Sequence, residues 1–164
     1  MQLYVMRHAK SDWDNALPDF ERPLSKRGQK NAPAMAEWLG ENDYEPDAIV
    51  TSSAVRARST ANYVAEHFDN APTFTEHDDL YLASLDAWLD HLGRATADRL
   101  LICGHNPGLD YLVEYLGGDQ PRLTDDGKLM TTAAVAVFEI KGWENIAPDT
   151  VEFVTLMRPR ELPT

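Results

Sequence analysis

Short apolar runs recur along the chain and predict strands of a sheet that is buried on both faces. Three of them are the clearest, at residues 3–6, 48–50 and 100–103. A weaker strand begins at Phe74, and two more follow near the end of the chain, at residues 133–140 and Val151–Met157. The last run alternates apolar and polar residues, so we expect it to lie nearer an edge of the sheet.

Apolar residues spaced three or four apart between these runs predict helices. Ser25 and Ser84 are placed to cap two of the helices, and Asn106 and Pro107 to provide the cap and the first helical position of another. Pro33 falls inside the first helix and is expected to bend it or delay its start. Because strands and helices alternate, the sequence predicts an α/β fold, a three-layer α/β/α sandwich with a mainly parallel central sheet.

Length and composition restrict the class of protein. The 164 residues fit one domain, residues 1–164, and no apolar run approaches the roughly 20 residues that span a bilayer. Cys103 is the only cysteine, which excludes an internal disulfide framework and favours a cytoplasmic location. The net charge of −12 argues against nucleic acid or an anionic membrane as a partner. The five histidines are dispersed without metal-ligand spacing, so neither a metal nor a cofactor is predicted.

Polar groups follow three of the predicted strands at the point where each strand ends. They are Arg7 and His8, then Ser52 and Ser53 with Arg56 shortly after them, and finally Gly104 and His105. An isolated Arg-His pair would be expected only to begin a solvated loop. The carboxyl ends of parallel strands meet at one edge, however, so these groups should converge. Arginine forks and helix N-termini both favour phosphate oxygens, and the sequence therefore predicts a phosphate pocket.

Two imidazoles in such a pocket indicate chemistry beyond binding. A neutral imidazole can attack phosphorus and hold the phosphoryl group covalently, which divides hydrolysis into two steps. The attacking nitrogen must be unprotonated, so the other ring nitrogen should donate to a backbone carbonyl or a similar acceptor. Since histidine ordinarily has a pKa near 6.5, activity is expected to decline as the pH falls through roughly 6–7.

Three segments resemble the motifs of the histidine phosphatase superfamily, whose members have the phosphoglycerate-mutase-like fold. Residues 6–13 (MRHAKSDW) are similar to its RHG segment, residues 52–61 (SSAVRARSTA) to its second motif and residues 104–106 (GHN) to its third. Their order and spacing also agree. Residues 21–25 (ERPLS) and 106–108 (NPG) look closest to the short SixA-like phosphohistidine phosphatases.

The resemblance implies a role for each of four catalytic residues. His8 would be the phosphorylated nucleophile, Arg7 and Arg56 would bind phosphate, and His105 would be the second pocket histidine. It also implies a metal-independent phosphatase that needs no cofactor and acts on a phosphorylated protein or a small phosphorylated substrate.

Two positions depart from the mutase-like branch of the superfamily. Asp14 follows Trp13 where that branch has asparagine, and residues 80–82 (LYL) lack the acid that serves there as proton donor. Asp78 and Asp79, just upstream, are more simply explained as a solvated turn. Because an alkoxide leaving group needs a proton donor and a protonated phosphohistidine does not, the missing acid favours phosphohistidine as the substrate.

Two other interpretations remain open at this stage. In the first, the chemistry is the same but the protein is a small-molecule phosphomonoesterase or, as the less favoured choice, a mutase. The second is a phosphate-recognising module without turnover. Asp14 is the nearby carboxyl that would rescue ester cleavage if its loop covered the pocket.

Overall fold

The computed structural model describes residues 1–14 and 16–163 and places the predicted strands side by side in one sheet. The six strands are β1 (Gln2–Arg7), β2 (Ala48–Ser52), β3 (Thr73–His77), β4 (Arg99–Gly104), β5 (Val135–Ile140) and β6 (Val151–Met157). Their order across the sheet is β3-β2-β4-β1-β5-β6. The first four are mutually parallel, whereas β5 is antiparallel to both of its neighbours. The mainly parallel sheet is thus confirmed, and β6 does lie at an edge.

Helices cover both faces of this sheet. They are α1 (Lys26–Glu41), α2 (Val55–His67), α3 (Leu85–Gly93) and α4 (Gly108–Gly117). Side chains of β1 alternate between the faces: Leu3 and Val5 belong to the core under α3 and α4, Tyr4 and Met6 to the core under α1 and α2. This alternation confirms the predicted three-layer α/β/α sandwich. In the described part of the chain, every helix is too short or too polar to cross a membrane.

Three local predictions differ from the structure. Helix α1 begins directly after Ser25, whose side chain accepts the Gly28 N–H at 3.2 Å, so Pro33 does not delay its start. Helix α4 begins at Gly108, one residue later than predicted. Strand β5 begins at Val135 because Ala133 has a positive φ of 64° and its N–H donates to the carbonyls of Arg7 and His8, each at 3.1 Å.

Candidate active site

His8 lies directly after β1, the strand between parallel β4 and antiparallel β5, and the residue is only 7% exposed. Its Nδ1 is 2.7 Å from the carbonyl oxygen of Ala9. Because a carbonyl only accepts, Nδ1 must carry the ring proton of the neutral imidazole. The lone pair is therefore on Nε2, the nitrogen that a nucleophile needs.

Arg56 faces that lone pair from the first turn of α2. Its Nε is 3.4 Å from His8 Nε2, and the residue is buried. The Thr60 hydroxyl fixes the two segments together, since it donates to the Arg56 carbonyl at 2.7 Å and accepts the Ala9 N–H at 2.9 Å. Arg58 points away and forms a half-exposed ion pair with Glu76 at 3.7 Å. Of these two arginines on α2, Arg56 is therefore the one that faces His8.

His105 follows β4 and lies beside His8, with ring centroids 5.1 Å apart. Its Nε2 is 2.8 Å from the Ser52 hydroxyl oxygen, which also accepts the Ala54 N–H at 3.2 Å. When this hydroxyl donates its proton to Nε2, the ring proton of His105 is on Nδ1, which is then an N–H donor. This buried nitrogen has no hydrogen-bond partner within residues 1–14 and 16–163.

Arg7 occupies the last position of β1 and donates from Nη1 to the Met130 carbonyl at 3.0 Å. The same carbonyl accepts from the Asn106 side chain at 3.0 Å. The end of β1 and the loop that carries His105 are therefore bound to one backbone group. Arg7 Nε is buried and, like His105 Nδ1, finds no partner in the described residues. Burial lowers the pKa of Arg7, and the nearby Arg56 lowers it further. Unpaired buried donors of this kind suit an anionic ligand.

Burial and positive neighbours also change the titration of both imidazoles. Burial is the main reason that the pKa of His8 falls to about 3, and the charges of Arg56 and Arg7 add to it. For His105, burial and then Arg56 lower the pKa to about 3 as well. Burial thus moves the protonation of free His8 below the range of pH 6–7 that an ordinary histidine would give, and the expected decline of activity moves to lower pH with it.

Proton titration followed by NMR of the histidine side chains provides a direct check. In the ligand-free protein we expect the ring signals of His8 and His105 to stay in the neutral form from pH 8 to pH 5, because the lowered pKa values move protonation below this window. The matched control is the same protein in denaturant, where each histidine should titrate with a pKa of about 6.5. An inflection of the folded His8 signal between pH 6 and 7 would contradict the burial argument.

A second group of polar and charged side chains, to which the sequence motifs assigned no role, surrounds Arg56. The Asp19 carboxylate accepts from Arg56 Nη2 and from Arg22 Nη2, each at 3.0 Å, and also from the Tyr81 hydroxyl. The Tyr81 hydrogen bond and those of both arginines hold the pKa of Asp19 at about 2. The ring of Tyr81 packs edge-on against that of His105, with centroids 5.4 Å apart. Two sequence signals pointed to this region: the unusual length of the polar loop at residues 10–24, which is typical of a functional loop, and the ERPLS segment that contains Arg22.

The other acidic residues named from the sequence lie in different surroundings. Asp14 is exposed, and its backbone N–H donates to Asp12 Oδ1 at 2.8 Å. Asp78 and Asp79 are both exposed, as expected of a solvated turn, and they also have side-chain partners: Asp78 accepts from the Ser53 hydroxyl, and Asp79 pairs with His91 at 3.2 Å. Leu82 is 55% exposed.

Comparison with known proteins identifies the family. The sequence model of the histidine phosphatase superfamily (branch 1) matches residues 3–81. The phosphohistidine phosphatase SixA of Escherichia coli K12 is 30% identical over 143 residues, which cover 83% of this chain and 83% of that protein. The chain belongs to the histidine phosphatase superfamily.

Two further relatives extend the match over nearly the whole chain. An uncharacterised protein of Mycobacterium tuberculosis is 30% identical over 162 residues, which cover 94% of this chain and 100% of that protein. The solved structure of the protein histidine phosphatase SixA complexed with tungstate superposes with a TM-score of 0.79 at 25% identity, covering 99% of this chain and 100% of that one. The predicted superfamily, its fold and the assignment as a phosphatase are confirmed.

Proposed function

We propose that this histidine phosphatase removes a phosphoryl group from phosphohistidine on a protein, through a covalent intermediate on His8. The observation that carries the proposal is the 2.7 Å contact between His8 Nδ1 and the Ala9 carbonyl, which leaves Nε2 unprotonated next to Arg56. Arg7, Arg56 and His105 would bind the phosphoryl oxygens and neutralise the charge of the transition state. The unpaired nitrogens Arg7 Nε and His105 Nδ1 support these roles.

In the first step, the His8 Nε2 lone pair forms a bond to phosphorus while the bond from phosphorus to the substrate nitrogen breaks. The substrate ring, protonated on its other nitrogen, leaves as neutral imidazole. Phosphorylated His8 still holds its Nδ1 proton against the Ala9 carbonyl. In the second step water attacks phosphorus and His8 likewise leaves as neutral imidazole, so neither departure requires an external acid.

The surroundings of the site support a phosphoramidate more than an ester. Asp19 is the carboxylate that contacts Arg56, and its pKa of about 2 keeps it ionised and unable to donate a proton. The lowered pKa of His105 keeps its ring neutral near pH 7, so it lacks the second ring proton that a general acid would donate. Asp14 is exposed on its loop rather than bonded to His8, Arg56 or His105 by any contact that the structure shows.

A protein substrate is favoured by apolar side chains around the site. Trp13 is 67% exposed, and the Arg22 guanidinium lies 3.5 Å from its ring centroid. Arg22 in turn shares Asp19 with Arg56. Leu82, also exposed, directly follows the Tyr81 that touches His105. Exposed apolar groups near a phosphate site suit contact with the surface of another protein. The SixA relative from Escherichia coli is likewise called a phosphohistidine phosphatase.

The proposal also includes the enzyme's independence of metals and cofactors, its domain, its location and its partners. Arg7 and Arg56 supply the charge that a metal ion would otherwise supply to the phosphoryl group, so we propose metal-independent chemistry without a cofactor. Residues 1–164 would form a single histidine phosphatase domain, since strands from both ends of the chain share one sheet. The buried free thiol of Cys103 supports a cytoplasmic location, and the acidic charge supports partners other than nucleic acid or membrane.

The dependence of rate on leaving group tests the substrate class. With EDTA present, kcat/KM for a phosphohistidine peptide should exceed that for an alkyl phosphate by at least about 10²-fold, since a missing proton donor typically costs 10²–10⁴-fold for a basic alkoxide. Across a series of aryl phosphates, kcat/KM should fall steeply as the pKa of the leaving phenol rises.

Asp14→Asn is the matched control for this series. Because Asp14 is exposed, the variant should show the same steep dependence as the wild type. A shallow dependence in the wild type that becomes steep in Asp14→Asn would make Asp14 the acid and the protein a phosphomonoesterase. Binding of phosphate without turnover of any substrate would instead indicate a recognition module.

A further inference from the structure

A second cluster of polar side chains lies beside the active site, at the outer edge of the sheet. It consists of His77 at the end of β3, Asp79 in the 3₁₀ turn Asp78–Leu80, and His91 on α3. Each residue presents one ligand-type atom, and all three atoms lie within 4.8 Å of one another. Two imidazoles and one carboxylate from three different elements form a donor set that suits a divalent transition metal.

One of the three ligand pairs already has the spacing that such an ion requires, and all three ligand atoms lie within 4.8 Å of one another. Ligands 2.0–2.1 Å from a tetrahedral zinc ion are about 3.3 Å apart. His91 Nε2 and Asp79 Oδ2 are already 3.2 Å apart, and the His77 and His91 rings have centroids separated by 4.9 Å. His77 Nε2 is 3.1 Å from the Thr75 hydroxyl oxygen, a contact that fixes the orientation of the ring.

The cluster is also accessible to an ion from solvent. A cavity of about 650 Å³ opens beside it and is lined by His77, Asp79 and His91. The His91 side chain is 14% exposed, whereas Asp79 is 70% exposed. A metal could thus gain three protein ligands and keep a water molecule in the remaining position. The net charge of −12 attracts cations, although Arg94 on the cavity wall opposes them locally.

We propose that His77, Asp79 and His91 form a binding site for a zinc-like divalent metal ion, separate from the catalytic histidines. The ion would join the end of β3 and the following turn to α3. That turn leads into the active site, because Asp78 accepts from the Ser53 hydroxyl and Tyr81 packs on His105. A bound ion would therefore stabilise the wall that carries Tyr81 without entering the phosphoryl transfer. This inference does not depend on the proposed substrate.

Metal binding to the full-length protein tests the site. Protein stripped of metal is titrated with Zn²⁺ by calorimetry, and with Co²⁺ by visible spectroscopy, which reports the nitrogen and oxygen ligand field. We expect one Zn²⁺ per chain, a Kd at least tenfold weaker in His91→Gln and in Asp79→Asn, and a rise in Tm on zinc addition that both variants lose. Both are partly exposed positions, and far-UV circular dichroism establishes that each variant is folded.

Two control variants separate this cluster from the other histidines. His67→Gln alters an exposed histidine at the end of α2, and His8→Gln removes an imidazole from the catalytic site. Both should bind zinc with the wild-type Kd. Wild-type affinity in His91→Gln, or a loss confined to His8→Gln, would overturn the proposal, as would wild-type protein that binds no zinc.

Discussion

Replacing His8 by alanine is expected to lower kcat/KM by at least about 10³-fold and to abolish the phosphoenzyme. Removal of a nucleophile leaves only the catalysis that the remaining electrostatic groups provide. His8 is the histidine whose Nε2 is unprotonated, since its Nδ1 donates the ring proton to the Ala9 carbonyl. Incubation with radiolabelled phosphohistidine peptide, followed by an alkaline quench and then acid treatment, should reveal an acid-labile phosphoenzyme in the wild type and none in the variant.

The control for this experiment is His67→Ala, which removes an exposed imidazole outside the site. It should form phosphoenzyme and turn over substrate as the wild type does. His8→Gln serves as a second variant that fills more of the space left by the imidazole, so that a loss of activity is not attributed to a cavity. If His8→Ala retains activity within tenfold of the wild type, the covalent mechanism is wrong.

Arg56→Ala is expected to lose on the order of 10²-fold or more in kcat/KM, the typical result of removing one electrostatic donor from a preorganised site. Arg56 Nε is 3.4 Å from His8 Nε2, the atom to which the phosphoryl group would bind in the proposed mechanism. Steady-state kinetics with one aryl phosphate measures the loss. Arg56→Lys should recover only part of it, because lysine restores the charge without the planar fork.

Arg58→Ala is the matched control, since Arg58 lies two residues away on the same helix and pairs with Glu76 at the surface. Its kcat/KM should stay within about twofold of the wild type, as exposed ion pairs contribute little. Arg56 also holds Asp19, so urea denaturation of each variant is needed to separate lost catalysis from a disturbed fold. Equal losses in Arg56→Ala and Arg58→Ala would contradict the assignment of the phosphate-binding cation to position 56.

The charge arrangement suggests why the site can hold two neutral imidazoles. His8 and His105 are buried between cations, and both effects disfavour the protonated ring. Asp19 balances Arg56 and Arg22 without contacting His8 in the hydrogen bonds that the structure shows. An incoming phosphoryl group can replace that carboxylate as the partner of Arg56, because both are anions that a guanidinium fork accepts.

Local sequence patterns were sufficient for the elements and for the order of the motifs. Continuous apolar runs identify β1, β2 and β4, because a strand buried on both faces excludes polar side chains. The sequence also predicts that the polar residues that end these runs lie close together, because parallel strands bring their carboxyl ends to one edge of the sheet. These residues are Arg7, His8 and His105. The alternating pattern of β6 predicts an edge strand, because a strand that is partly exposed to solvent carries polar side chains on its exposed face.

Only the tertiary structure decided how distant residues combine and what charge they carry. Asp19, Arg22 and Tyr81 meet at Arg56 across as many as 62 residues of chain, and no local period encodes such contacts. His77 and His91 likewise become neighbours because α3 packs against the turn Asp78–Leu80 that follows β3, although nothing in their spacing predicts a shared site. The pKa values of His8 and His105 follow from burial and surrounding charge, which depend on every element packed around them. Sequence determines which groups are present and where their strands end, whereas desolvation and long-range contacts exist only once the chain has folded.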